Sequence, residues 1–419
     1  MVQAYTILDR MYTRPRAVGH LDADCFYVSA ERVRDPFLKG KAVGVLGNQG
    51  ACVIAKSYEM KAAGVKTGEP IWEAVQKCPE GIYIKRDFHW YEALSKSMLE
   101  VMRRLSGHVE YYSIDEFFFV AEPRPGQSFQ DLAMSMRDTI LAELDVPVTV
   151  GIARSRTLAK LISDSAKPFG AKAVLTKDDE ESLLAALPVT EISGVAKRRA
   201  NRLLPWGIAS CLDLARADRA LVRKLLTSTG EALWWELNGE PSGVIHSERP
   251  RHKALSRGGS LGESTDDPYR LHAWLVRNLE RLIEELHYHK VMPGKLTLWV
   301  GYRDGESGEG HARLAVPTDR FDLLLESLRP CLRQAWRRGH LASRMHLIAE
   351  DLADSHSAQI SLFEPSSPRA DALAQVKTQI NQRIGRFAVR SGATLPLTDI
   401  YTDGANNYDI CDVRGKICF

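Results

Sequence analysis

Two stretches of this chain group carboxylates where phosphate chemistry could use them. Asp22-Ala23-Asp24-Cys25-Phe26-Tyr27 sets two acids directly after an apolar run, and Ser113-Ile114-Asp115-Glu116 sets two adjacent acids between apolar segments. A plain hairpin turn more often uses Asn-Gly or Asp-Gly. Adjacent like charges call for a cation to offset their repulsion, and Mg²⁺ prefers hard oxygen ligands with sites left over for phosphate. If Asp22 ends a strand beside that hairpin, then Asp22, Asp115 and Glu116 converge. That is the set two-metal phosphoryl transfer needs, one ion for the attacking oxygen and one for the leaving group. Taken alone, the Asp22 stretch reads equally as an acidic helix N-terminus sitting on its dipole.

Cations and donors stand elsewhere along the chain. Lys61, in Ser57-Tyr58-Glu59-Met60-Lys61, and Lys167, in Lys167-Pro168-Phe169-Gly170, could neutralise a triphosphate, with the Tyr58 hydroxyl as donor. Each lysine by itself reads as a solvated surface charge. Ile192-Ser193-Gly194-Val195-Ala196, followed by Lys197-Arg198-Arg199, is a glycine turn that could aim backbone N–H groups at a DNA phosphate. Its plainer reading is a helix cap. Residues 191–350 carry 25 Lys and Arg against 20 Asp and Glu, an excess in the region that would have to grip a duplex. Gln359-Ile360-Ser361-Leu362-Phe363 puts an apolar pair in a polar stretch, which suits a pocket on a partner or a local dock onto its own domain. Gly258-Gly259-Ser260-Leu261-Gly262 fits G-x-S-x-G, but Glu263 to Asp266 intervene where a nucleophile elbow needs a helix, so a hydrolase is rejected. No P-loop or H-E-x-x-H motif occurs.

The elements that must position these residues follow from periodicity. Ala17–Leu21 reads as a buried strand and 25–34 as a helix. Ala42–Leu46 and Ala51–Ala55 read as a hairpin pair about Gly47-Asn48-Gln49-Gly50. Phe88, Tyr91, Leu94, Met98, Val101, Met102 and Leu105 have helical spacing over 88–105. Val109–Ser113 and Phe117–Val120 read as strands with Asp115-Glu116 in the turn, 129–144 as a helix and Pro147–Ile152 as a strand. This is a βαββαβ unit with an insertion. Residues 188–240 read as short helices and 241–253 as a linker. A second βαββαβ unit follows: a strand near Ala254–Leu261, a helix opened by Asp267-Pro268, strands at Lys295–Arg303 and 311–316, a helix at 319–338 and a strand at Met345–Ala349. Residues 355–419 lack sustained periodicity and read as a partly ordered tail.

Composition sets the outer limits. The chain has 419 residues, 44% hydrophobic and 26% charged, with 56 basic against 53 acidic side chains, which is globular and sufficient for several cores. No apolar run is long enough to span a membrane, and the N-terminus has no secretory h-region. Seven scattered cysteines without C-x-x-C suit reduced thiols in a cytoplasm.

In order along the chain, Asp22-x-Asp24-x-Phe26-Tyr27, Ser57-Tyr58-Glu59-x-Lys61, Ser113-Ile114-Asp115-Glu116 and Ala166-Lys167-Pro168 resemble the Y-family translesion DNA polymerases, from about Ala17 to about Arg390. Within that family the chain is most similar to the bacterial UmuC-like branch. Gly50-Ala51-Cys52-Val53-Ile54-Ala55, Tyr112 to Glu116 and Trp336-Arg337-Arg338-Gly339-His340 carry that similarity. The resemblance implies an α+β right-hand polymerase: a ferredoxin-like, split βαβ palm (16–25 and 85–175) and small fingers (26–84). A helical thumb with a helix-hairpin-helix (176–241), a linker (242–253) and a second split βαβ little finger (254–354) follow. Residues 1–15 are an extension and 355–419 a tail with a clamp-binding-like motif.

The resemblance further implies that Asp22, Asp115, Glu116 and the carbonyl of Ala23 bind two Mg²⁺, with Mn²⁺ as a substitute. The primer 3′-OH would attack the α-phosphate of a dNTP, without proofreading. Tyr58, Lys61, Lys167 and the backbone of Phe26 and Tyr27 would hold the triphosphate. Tyr27 would be the steric gate against ribose, and Ile54 would lie over the nascent base pair. Gly194, Ala196, Lys197 and Arg198 would contact DNA, and Gln359, Ser361, Leu362 and Phe363 a sliding clamp. Primer-template DNA, dNTP, the clamp and an accessory subunit are the implied partners, in a bacterial cytoplasm at the nucleoid. Two positions depart from the family: Ala55 stands where many members have Thr, and Ala196 replaces the second glycine of the thumb hairpin. A catalytically silent clamp- and DNA-binding adaptor is the alternative, and it would be expected to have lost the three carboxylates.

Overall fold

A computed structural model describes residues 17–47, 52–240, 243–248, 251–355, 368–385, 387–398 and 400. The chain divides into two compact units near Pro250.

In the first unit β1 (Val18–Ala23) runs into α1 (Phe26–Arg34). An inserted module follows, comprising β2 (Val43–Leu46), β3 (Val53–Lys56), α2 (Tyr58–Ala62), α3 (Ile71–Lys77) and β4 (Ile82–Lys85). Its sheet order is β3-β2-β4, with β2 and β3 antiparallel; the turn at 48–51 lies outside the described residues. The chain continues through α4 (Phe88–Leu105), β5 (Val109–Tyr111), β6 (Glu116–Val120), α5 (Phe129–Leu144), β7 (Val148–Ala153), α6 (Arg156–Ala166) and β8 (Ala171–Ala173). These strands form one sheet in the order β5-β6-β1-β7-β8.

Both faces of this sheet are covered. Tyr91, Leu94, Met98 and Val101 of α4 pack with Met136 and Ile140 of α5 against Leu21, Phe117, Phe119 and Val150. Asp87 caps α4, accepting from Trp90 N, and Ser128 with Asp131 forms a capping box on α5. On the other face α6 crosses at Gly151, where a Cβ would lie 2.3 Å from the Ala159 carbonyl oxygen, so only glycine admits the helix. Short helices complete the unit: α7 (Lys177–Ala186), α8 (Lys197–Leu203), α9 (Cys211–Arg216) and α10 (Arg219–Leu237). They share a core with Val18, Phe118, Leu158 and Ile162.

The second unit holds β9 (Ala254–Thr265), α11 (Pro268–His289), β10 (Val291–Tyr302), β11 (Ser307–Arg313), α12 (Phe321–Ala335) and β12 (Ala342–Asp354), with sheet order β11-β10-β12-β9. Asp267 caps α11, accepting from Tyr269 N at 2.9 Å. Leu275, Leu279, Leu282, Leu324 and Leu328 of the two helices bury Leu296, Leu298, Val300, Met345 and Leu347 of the sheet. Gly258 to Gly262 lie within β9, in strand and not at the head of a helix.

Two expectations are corrected. Glu116 is not in a turn: it is the first residue of β6 and pairs across to Asp22. Residues beyond 355 are not all tail. A helix, α13 (Pro368–Ile384), and a 3-10 stretch, Gly392–Leu397, return to the second unit. Phe387 and Leu397 enter its core, and Lys377 and the Ser391 N–H both bind Glu280 of α11. Two isolated apolar side chains in irregular backbone leave no periodic signal to read.

Candidate active site

The carboxylates meet at one end of the first sheet. Asp22 sits opposite Glu116 on β6 and opposite Thr149 on β7. The Ala23 N–H donates to the Asp115 carbonyl at 2.9 Å, which holds the β5–β6 hairpin against β1. The hairpin is also fixed from within and from behind: Ser113 Oγ donates to Asp115 Oδ1 at 2.6 Å, and Ser95 Oγ of α4 donates to the Ile114 carbonyl. Asp22 and Asp115 are 6% and 2% exposed, so their charges are held away from bulk water.

Two lysines, Lys160 of α6 and Lys167 just beyond its end, compensate them. Lys167 Nζ donates to Asp22 Oδ2 at 2.8 Å and to Asp164 Oδ1 at 2.9 Å; Lys160 Nζ donates to Glu116 Oε1 at 2.7 Å. Burial pushes the Asp22 carboxyl up to about 7, opposed by Lys167 and reinforced by the charges of Asp115 and Glu116. Burial works against the charge on Lys167, yet Asp22 and Asp164 more than offset it and hold the ammonium above its ordinary range. Lys160 is raised in the same way, against burial, chiefly by Glu116. Among the described residues no three Asp, Glu, His or Cys side chains already close around a common point as a metal-binding set. Asp22 and Glu116 turn instead to ammonium groups. The donor set is chemically right for a divalent ion: hard oxygens on adjacent strands, buried, mutually repelling and served by monovalent cations that an ion could displace.

The nucleotide-side residues come from three elements. Cys25, at φ 48°, turns the chain from β1 into α1, which has no side-chain N-cap, so Phe26 and Tyr27 occupy its first turn. Tyr27 is 3% exposed, and its ring stacks on Tyr91 at 4.8 Å and meets Phe88 edge-on at 5.8 Å. Ser57 caps α2, accepting from Met60 N at 3.2 Å, and thereby presents Tyr58 and Lys61 on consecutive turns. Tyr58 OH donates to Asp24 Oδ1 at 3.2 Å, whereas Lys61 is exposed. Burial and then the Asp24 charge hold the Tyr58 phenol well above its usual range, so it remains a donor. Ile54 lies on β3, half-buried.

The glycine turn before α8 lies farther along the chain, and its Ser193 lines one cavity with Lys160. Gly194 has φ 91°, a left-handed conformation that favours glycine, and its carbonyl accepts from Arg199 Nη1 at 2.8 Å. Ala196 is the N-cap of α8 without a side-chain bond, and Lys197 and Arg198 are exposed. Gln359, Ser361, Leu362 and Phe363 lie outside the described residues.

Sequence reasoning missed Lys160, Asp164 and the role of Asp24. The first two were findable, because 160 and 164 are one helical turn apart on the helix that leads into Lys167. Among the described residues no helix is long and apolar enough to cross a membrane.

The impB/mucB/samB family matches residues 21–164, and the C-terminal domain of that family matches residues 252–362. DNA polymerase IV 1 of Bacillus subtilis (strain 168) is 30% identical over 401 residues, covering 94% of this chain and 96% of that one. Protein UmuC of Salmonella typhimurium (strain LT2) is 28% identical over 381 residues, covering 87% and 90%. A solved Y-family DNA polymerase chimera of Dbh and Dpo4 superposes with a TM-score of 0.68 at 23% identity, over 81% of this chain and 99% of that one. The insertion ternary complex of Dbh DNA polymerase gives 0.55 at 24% identity, over 81% and 99%. Both share its α+β polymerase fold.

Proposed function

The chain belongs to the impB/mucB/samB family, the UmuC-like Y-family polymerases, and from that membership we propose how its residues carry out translesion DNA synthesis. It is a DNA-directed DNA polymerase that depends on divalent metal and acts on DNA and nucleotide. The observation that carries our reading is the Asp22–Glu116 cross-strand pair with Asp115 held beside it.

In this reading Asp22, Asp115, Glu116 and the Ala23 carbonyl hold two Mg²⁺, for which Mn²⁺ can substitute. When bound, those ions supply charge stabilisation at the attacking and leaving oxygens. The primer 3′-oxygen forms a bond to the α-phosphorus of dNTP as the bond to pyrophosphate breaks, and the proton of the 3′-OH leaves to solvent. Lys167, released from Asp22, and Lys61 neutralise the triphosphate, and Tyr58, released from Asp24, donates its one hydrogen bond to it. Backbone N–H groups of Phe26 and Tyr27 add to this at the start of α1. The Tyr27 ring, fixed by Tyr91 and Phe88, bars a ribose 2′-OH, and Ile54 lies over the nascent base pair. Gly194, Ala196, Lys197 and Arg198 contact the duplex backbone, which carries affinity and not sequence preference. Gln359, Ser361, Leu362 and Phe363 bind a sliding clamp, and an accessory subunit joins at the nucleoid of a bacterial cytoplasm.

Primer extension by the purified chain, with Mg²⁺ and dNTPs on undamaged and abasic templates, tests the reaction. Extension on both supports a self-sufficient translesion enzyme. Intact duplex binding without extension, even with clamp and accessory subunit added, would overturn the catalytic reading.

A further inference from the structure

Asp24 is the one carboxylate of the first acidic motif that the proposed reaction leaves without a task. We propose that it is a positioning residue that fixes the Lys167 turn, and so sets affinity for the triphosphate. This inference rests on the reading of Lys167 as a triphosphate ligand.

Asp24 is 2% exposed, and each of its oxygens already has two donors. Oδ1 accepts from Tyr58 OH at 3.2 Å and Thr149 Oγ1 at 3.1 Å. Oδ2 accepts from the Phe169 N–H at 2.7 Å and shares the Thr149 hydroxyl at 3.2 Å. A carboxylate offers about four lone-pair positions, and three donor hydrogens, one of them shared between the two oxygens, already take up most of them. All its hydrogen-bond donors are neutral, unlike those of Asp22 and Glu116, which each take a lysine.

The three donors come from three places: α2, β7 and the turn after α6. That turn is specified residue by residue. Phe169 stands at φ 48°, a costly conformation for a residue with a Cβ. Its N–H is held by Asp24, and the Gly170 N–H donates to Thr149 Oγ1 at 3.3 Å. From outside, Arg137 lies over the Phe169 ring at 4.5 Å and donates to its carbonyl at 3.3 Å. Lys167 is two residues before Phe169, so its ammonium can reach only what this turn allows. Asparagine at position 24 keeps the size but turns one acceptor into a donor, which leaves one of the three donors without its acceptor. The turn is then free to drift, and Lys167 with it.

The test uses the full chain on a dideoxy-terminated primer-template, measuring Kd for the next correct dNTP, with kcat measured separately on an extendable primer. Mn²⁺ binding is read by electron paramagnetic resonance. Asp24→Asn is expected to raise the dNTP Kd about fivefold, with kcat within threefold and Mn²⁺ affinity within twofold of the parent chain. Lys167→Ala is expected to raise Kd about tenfold, and the double variant to be no worse than Lys167→Ala. An unchanged Kd in Lys167→Ala would remove the triphosphate reading, and this proposal with it. A raised Kd in Lys167→Ala with an unchanged Kd in Asp24→Asn would sink the proposal alone, as would multiplicative effects in the double variant. A collapse of kcat or of Mn²⁺ binding in Asp24→Asn would make Asp24 a metal ligand and overturn it. If Asp24→Asn does not fold, Thr149→Val removes a donor from the same carboxylate. It should raise Kd about threefold, and no change would be equally fatal.

Discussion

Each unit has a lysine–glutamate pair at its sheet, helix to strand in the first and strand to strand in the second, and the two pairs have almost the same length. In the first unit Lys160 reaches Glu116 at 2.7 Å; in the second, Lys295 reaches Glu350 at 2.9 Å. Their surroundings differ. The first pair is 17% exposed on both sides and stands beside buried Asp22 and Asp115. The second is 32% and 33% exposed, on a sheet face that also carries Thr297 and His311. β1 and β7 are buried at every position, whereas β12 alternates between buried and part-exposed residues along much of its length. A charge on the first sheet must therefore have a partner, and a charge on the second has water. The two βαββαβ runs share their element order but not their strand order, β5-β6-β1-β7 against β11-β10-β12-β9, and the first strand, central in one sheet and at the edge of the other, is buried throughout only where it is central.

The largest way to break that contrast is to remove a carboxylate from the first sheet. Glu116→Ala or Asp115→Ala is expected to lower kcat on the order of a thousandfold, about 4 kcal/mol of transition-state stabilisation, while duplex binding persists. Single-turnover extension beside a gel-shift titration checks this, and wild-type extension by either variant would remove the metal assignment. Next in size is Tyr27→Ala. Taking away the ring that Tyr91 and Phe88 hold is expected to move the rNTP-to-dNTP selectivity about a hundredfold toward ribonucleotides. Competing single-nucleotide insertions measure it, and an unmoved ratio assigns the gate elsewhere.

How far this contrast could be read from the chain alone depended on the kind of signal. Asp115-Glu116 stood out because two adjacent acids in an apolar hairpin are costly without a cation. Lys160 did not stand out, although it is Glu116's partner, because a lone lysine on an amphipathic helix looks like any solvated charge. The face shared by 160 and 164, with Lys167 just beyond it, becomes meaningful only once α6 is known to lie over the sheet, and that depends on the glycine at 151. Both βαββαβ units were legible because long helices such as 88–105 bury a regular stripe. The return of the described residues from 368 on was not, because α13 leaves Leu373 and Ile384 exposed, and among the described residues it is Phe387 and Leu397, in the short segments that follow it, that enter the core.

A middle-sized effect separates the compensating lysine from the chemistry. Lys160→Ala leaves Glu116 partly buried without its cation, and the resting protein is expected to lose about 2 kcal/mol of stability. Thermal denaturation without metal reads the loss. Added Mg²⁺ should restore part of it, since an ion that binds only the folded carboxylates stabilises by mass action. A variant as stable as the parent would mean that Glu116 does not need the lysine.

The smallest effect is the control that gives the others meaning. Lys295→Ala cuts the second unit's pair, yet Glu350 still accepts from Thr297 Oγ1 at 2.7 Å. The hydrogen bonds from Thr297 and Lys295 hold the Glu350 carboxyl below its usual range, but both charged partners are about a third exposed, so most of that interaction is screened. The expected loss is at most about 0.5 kcal/mol, with no change in extension rate, and chemical denaturation of the full chain beside the Lys160→Ala variant measures both on one scale. If Lys295→Ala cost as much as Lys160→Ala, burial would not be what distinguishes the two sheets, and the electrostatic account of the first would lose its basis.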